Sequence, residues 1–193
     1  MQQIAVILVL GLAVAAAPAQ KPRVGERFRA FAVNLDSTAG VPTGAGEVEI
    51  VINRYSPEAD GDRIVTTLLE QGPEKLLDEV QDMPRVGYIR TPQSVGYDLR
   101  FARKVSDKDG GEQIAIMTDR PISVWEARNR PRTVDYPFTV IELRINKDGE
   151  GEGKISLFTK IDADRRNKTL VLENYGSQPV MLKNVRRVSN SGE

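Results

Sequence analysis

Between residues 47 and 53 apolar and polar side chains alternate strictly: Val48, Ile50 and Ile52 fall on one face, Glu47, Glu49 and Asn53 on the other. Successive side chains of a strand point to opposite faces, so a period of two predicts a strand buried on one side. An earlier strand is predicted over residues 27–34, followed by a Gly-, Thr- and Pro-containing loop over 36–46. After Tyr55 the period changes. Ile64, Val65, Leu68 and Leu69 recur at helical spacing, with Ser56 placed to cap the helix and Pro57 in its first turn. Gly72-Pro73 breaks that run, and Leu76, Leu77, Val80 and Met83 form a second apolar stripe that ends at Pro84. Residues 56–83 therefore read as a two-helix insertion whose stripes must cover a sheet or the end of a barrel.

From Arg85 the pattern returns to strands. A short one is predicted over 86–89, and Tyr97, Leu99 and Phe101 share a face of the next, with Asp98, Arg100 and Lys104 opposite. A turn at residues 107–111 leads back to Ile114 and Ile116. Ile141, Leu143 and Ile145 alternate, and Ile155, Leu157 and Ile161 answer them across the glycine run 148–153. A register joining Ile145 to Ile155 and Leu143 to Leu157 places these aliphatics on one face. Residues 169–174 and 179–188 form two closing strands around a turn at 176–178. About seven to nine strands joined mostly by short turns predict an α+β fold, mainly antiparallel β. A sandwich and a meandering barrel both satisfy the pattern.

The first twenty residues differ from the rest. They carry no charged side chain, and Ile4 to Ala17 is almost continuously apolar before Ala17-Pro18-Ala19. That run is shorter than the roughly 20 residues needed to span a bilayer, and its small-residue end fits a secretory cleavage site. Residues 1–19 are expected to be a signal peptide and 20–193 one mature domain, located in the periplasm or secreted. No later stretch is apolar enough to predict a transmembrane segment.

The 193 residues hold 27 basic and 27 acidic side chains, which argues against nucleic acid as a partner. Cysteine is absent, so disulfides are excluded; histidine is absent, which removes His-dependent triads and Cys/His zinc sites. No cofactor motif is present. The glycines at 149, 151 and 153 lack the spacing and hydroxyl residue of a phosphate loop. Asp107 with Asp109, and Asp162 with Asp164, read as acidic turns rather than calcium loops.

One segment stands out. Residues 119–137 link two strands through a connection longer than most in a compact domain. It holds the only tryptophan, Trp125, together with Arg120, Arg128, Arg130 and Arg132. Guanidinium forks beside an indole suit an anionic or planar ligand, or a polyanionic partner surface; equally, Trp125 could plug the sheet while the arginines pair with Glu126, Asp135 or solvent. Tyr88 and Tyr97, with Arg90, could line one cleft with that loop, or serve as ordinary core tyrosines. These features predict a non-catalytic binding module for an anionic small molecule or an envelope protein. The alternative is a carboxylate-dependent hydrolase of envelope or extracellular glycans, drawing on Asp98, Asp119, Glu126, Asp135 or Glu142.

Several strings carry a resemblance: Met83-Pro-Arg-Val-Gly-Tyr-Ile-Arg-Thr-Pro92, Gly96-Tyr-Asp-Leu-Arg-Phe-Ala-Arg103, Asp119-Arg-Pro-Ile-Ser123, Asn129-Arg-Pro-Arg-Thr-Val-Asp-Tyr-Pro-Phe138 and Leu172-Glu-Asn-Tyr-Gly-Ser-Gln-Pro179. On them the chain resembles a group of uncharacterised bacterial secreted proteins. The resemblance implies a bacterial, exported protein and no mechanism.

Overall fold

The computed structural model describes residues 25–37, 43–120, 122, 137–164, 169–174 and 178–188. In chain order the elements are β1 (Glu26–Asn34), β2 (Gly44–Ile52), α1 (Glu58–Glu70), α2 (Pro73–Asp82), β3 (Gly87–Arg90), β4 (Tyr97–Leu99) and β5 (Phe101–Ser106). They continue with β6 (Glu112–Met117), β7 (Phe138–Ile145), β8 (Glu150–Asp164), β9 (Thr169–Asn174) and β10 (Val180–Val188). All strand pairs among these are antiparallel, in the order β4-β3-β2-β1-β10-β8-β7-β6-β5, with β9 on β8.

The two ends of this order, β4 and β5, are consecutive in the chain and separated only by Arg100. The first half pairs with β3 and the second with β6. One bent strand therefore draws both ends of the sheet together, and the sheet curls into a barrel left open along one seam. Alternation fails at the corner. Leu99 and Ala102 both point into the interior, while Phe101 packs outward beneath the helices. The expectation that Tyr97, Leu99 and Phe101 share a face is thus corrected, and with it the placement of Lys104, whose side chain turns inward and is only 6% exposed.

Two apolar layers result. The interior is one cluster drawn from both arms of the sheet, including Phe28, Ile50, Ile89, Leu99, Ile116, Ile141, Leu157 and Leu182. Full burial of such side chains stabilises by about 1.5–3 kcal/mol each, which makes this layer the main source of stability. The second layer lies outside, where Ile64, Leu68, Leu76, Val80 and Met83 of the helical insertion cover Met117, Phe138, Val140 and Ile161. The predicted stripes therefore dock on the outer face of β6–β8. Ser56 does not cap α1; Pro57 occupies that position with no side-chain cap. Instead Ser56 is bonded to β5, its N–H donating to Ala102 O (2.8 Å) and its Oγ accepting from Ala102 N–H (3.1 Å).

The β7–β8 register also differs from expectation. Ile141 faces Ile155, Leu143 faces Gly153 and Ile145 faces Gly151. The turn is the short segment Asn146–Gly149, where Asn146 Oδ1 accepts from the N–H groups of Asp148 (2.9 Å) and Glu150 (3.0 Å). Gly151 and Gly153 lie within β8 and serve close approach: a Cβ on Gly151 would sit 1.8 Å from Arg144 O, and one on Gly153 2.5 Å from Glu142 O. The slip is an even number of residues, so the aliphatics keep their face near the turn. Farther along, a bulge opposite Phe138–Val140 moves Ile161 to the helical side. Among the described residues β9 and β10 pair with β8 and not with each other. Thr159 pairs with Phe138 on one edge of β8 and with Asn174 on the other, so β9 continues along the edge that β10 occupies nearer the turn.

Candidate functional site: an arginine–tyrosine face

Of the residues singled out in the sequence, Trp125, Arg128, Arg130 and Arg132 lie outside the described residues. Arg120 is exposed at the end of the bend after β6, its Nε 3.4 Å from Asp119 Oδ1. Asp119, itself buried, also receives Arg100 Nε at 3.3 Å, and Arg100 donates to the Met83 carbonyl at 3.2 Å. This chain of contacts ties the end of α2 to the start of the long connection. Tyr88 and Tyr97 do not line one cleft. Tyr97 pairs with Ile89 and packs against the interior, whereas Tyr88 is opposite Asp98 on the outer face.

On that outer face Tyr88 is flanked by two arginines. The Arg90 guanidinium carbon lies 5.2 Å from the ring centre and that of Arg85 5.6 Å. Cation–π attraction of this kind holds planar guanidinium groups in a defined orientation. Carboxylates fix each from the side: Arg90 Nη2 is 2.7 Å from Glu49 Oε2, and Arg85 Nε is 3.0 Å from Asp98 Oδ1. Arg27 Nη1 takes the other oxygen of Glu49 at 3.2 Å. Register places Arg29 directly across from Glu49 on the adjacent strand. Arg27, Arg29, Arg85 and Arg90 thus surround Glu49 and Asp98, while Glu47 lies one step farther along β2. The hydrogen bond and charge of Glu49, then the neighbouring Tyr88, raise the Arg90 pKa above its ordinary value, so the cation is permanent. Sequence reading named Tyr88 and Arg90. It missed Arg27, Arg29 and Glu49, whose only signal was their polar place on alternating strands.

Compared with protein families, curated proteins and solved structures, the chain gave no match.

A second charged cluster joins β5 and β6 to β1 and β10. Lys104 Nζ bonds Glu26 Oε1 and lies 3.2 Å from Glu112 Oε1; Arg187 bonds Glu112 and is 3.6 Å from Glu26 Oε2. Tyr55 donates its hydroxyl to Glu26 Oε2 at 2.7 Å, and Lys104 sits 5.0 Å above its ring. Glu26 and Glu112 thus share the cations of Lys104 and Arg187, and neither was named as a catalytic candidate in the sequence. Burial pushes Glu112 up, but the hydrogen bonds and charges of Lys104 and Arg187 outweigh it, and its pKa is held below 4.5. A glycosidase acid needs the opposite shift. The other carboxylates considered for hydrolysis are engaged as well: Asp98 with Arg85, Asp119 with Arg100, and Glu142 with Lys154 at 3.3 Å. Glu126 and Asp135 lie outside the described residues. Among the described residues no group of acidic side chains is arranged to hold a metal ion, and no helix is long and apolar enough to cross a membrane.

Proposed function

We propose that this is an exported bacterial protein that acts by binding, and that it captures an anionic ligand on the outer face of β1–β4. The single observation carrying this reading is Tyr88 held between Arg85 and Arg90, with Arg27 and Arg29 beyond Glu49. Each described ion pair on this face leaves guanidinium N–H groups directed elsewhere, and Arg29 has no carboxylate within ion-pair distance among the described residues. Planar forks pre-set by a ring and by carboxylates lose little freedom on meeting an oxyanion, which favours bidentate capture. Export is supported by the uncharged apolar segment before Lys21 and by the resemblance to secreted bacterial proteins.

The test uses immobilised heparin as a polyanionic probe and a charge-matched acidic peptide as a second. Arg29→Ala with Arg90→Ala is expected to elute from heparin at markedly lower salt than the wild type, with about tenfold weaker affinity in solution. Arg144→Ala, on a different part of the outer face, serves as the control. Equal retention of the double variant and the wild type defeats the proposal. Fractionation of expressing cells, with sequencing of the mature N-terminus, checks export separately.

A further inference from the structure

The cationic face does not end at Arg29. Arg186 of β10 lies directly across from Arg29, and Glu150 of β8 directly across from Arg186. Arg90, Glu49, Arg29 and Arg186 therefore form one row across the neighbouring strands β3, β2, β1 and β10. Neighbouring strands lie about 4.8 Å apart, so the row runs roughly 14 Å from end to end. Its side chains point away from the interior, since the adjacent pair Phe28–Arg187 places Phe28 in the buried cluster.

A bulge sets the far half of the row. Between the pairs Arg29–Arg186 and Phe31–Lys183, β10 has one more residue than β1. Asn184 takes it up at φ 53°, a left-handed conformation that asparagine adopts at less cost than most residues. With Asn184 and the buried Val185 between them, Arg186 and Lys183 both face outward, where strict alternation would turn one of them inward. Like charges directly opposite on neighbouring strands repel, and Arg29 and Arg186 stand in that relation. The acids that partner the β10 cations compete weakly with a ligand. Glu150 meets Arg186 Nε at 3.5 Å and Glu152 meets Lys183 Nζ at 3.1 Å, but the side chains of both pairs are 46–70% exposed, and ion pairs so open to water add little.

A row of cations wider than one oxyanion matches a ligand that carries several along an extended chain. Glu47, one step along β2 from Glu49, opposes an anion running along the strands, so the chain crosses them. The four strands of the row are each paired on both sides, so a peptide finds no open edge there to extend. Phe31, 52% exposed and two residues from Arg29 on the same face, offers an apolar ring to the C–H face of a sugar.

We propose that the arginine–tyrosine face continues across β10 and that its ligand is an acidic polysaccharide, lying across the strands from Arg90 to Arg186 with a sugar ring on Phe31. This inference rests on the anion-binding reading of that face and names its ligand class.

The test is calorimetric titration of the full mature chain with size-defined heparin oligosaccharides and with an oligoglutamate of the same charge as the hexasaccharide. A disaccharide is shorter than the row and a hexasaccharide longer, so the hexasaccharide is expected to bind about tenfold more tightly or better. Arg186→Ala, which removes one exposed pair, should weaken the hexasaccharide about fivefold without changing the melting temperature. Phe31→Ser should weaken it severalfold, and the oligoglutamate should bind the wild type less tightly than the hexasaccharide does. Equal affinity for the two oligosaccharides, or wild-type affinity in Arg186→Ala, overturns the extension across β10. Wild-type affinity in Phe31→Ser, or oligoglutamate bound as tightly as the hexasaccharide, overturns the choice of a polysaccharide. Early elution of the Arg29→Ala, Arg90→Ala variant from heparin separates these failures from failure of the anion-binding reading itself, in which that variant is retained like the wild type.

Discussion

Tyr55 shows how one hydroxyl reports on its surroundings. Burial first, then the hydrogen bond to Glu26 and the charges of Glu26 and Glu112, raise its pKa well above the ordinary 10.0, with Arg187 opposing. In the unfolded chain the phenol loses its proton near 10, while in the folded protein it keeps it. Above about pH 10 the unfolded state binds fewer protons than the native state, so stability falls as pH rises. The slope has an upper limit of about 1.4 kcal/mol per pH unit, reduced here because the ring is only half-buried. Tyr55→Phe is expected to flatten this alkaline decline relative to the wild type in urea unfolding between about pH 9 and about pH 11. Parallel declines in the two proteins would show that the hydroxyl is solvated. None of this was legible in the sequence, because Tyr55 acquires its partners from positions 29 and 57 residues away.

At the scale of elements, the helical insertion was legible almost throughout. The stripes of α1 and α2 are set by local spacing, and the buried residues Ile64, Leu68, Leu76 and Val80 are those the spacing selected. What the stripes rest on was not readable, since a helix stripe specifies burial and not its partner. Leu76 is fully buried between the helices and the outer surface of the sheet. Leu76→Ala should therefore cost about 2–5 kcal/mol of unfolding free energy, measured by chemical denaturation. A loss below about 1 kcal/mol would mean that the insertion is only loosely docked. The β7–β8 hairpin was read less well. Its glycines suggested a long loop, yet Asn146 and Gly149 make the turn and the remaining glycines sit under neighbouring carbonyls. Glycine signals turns and close backbone approach alike, and only contacts with other strands separate the two.

For the whole molecule, the attachment of the edge strand β5 to the opposite arm of the sheet is the decisive feature. On its side away from β6, β5 is joined to the rest by the two hydrogen bonds between Ser56 and Ala102 and by the pair of Lys104 with Glu26, which Glu112 and Arg187 extend into a cluster. Removing Lys104 leaves Glu26 and Glu112 facing one guanidinium in a mostly buried site. Lys104→Met is expected to destabilise by about 3–5 kcal/mol, with part recovered in Lys104→Met combined with Glu26→Gln. Hydrogen exchange should localise the loss to the amides of β5. An unfolding free energy within about 0.5 kcal/mol of wild type would assign the attachment of β5 on that side to the Ser56 link alone.

Alternation and helical spacing, which depend only on neighbouring residues, determined the class of fold, the buried face of most strands and the two helices. The sequence likewise placed Tyr88 and Arg90 among the interesting residues, though it set Tyr97 beside them when the sheet puts it on the opposite face. Tertiary structure alone decided the register of β7 and β8, the corner at Arg100 that turns Lys104 inward, and the meeting of Lys104 with Glu26 across 78 positions and of Arg187 with Glu112 across 75. Such pairings depend on how the sheet curls, and that curl is fixed by the packing of the whole interior rather than by any segment of the chain.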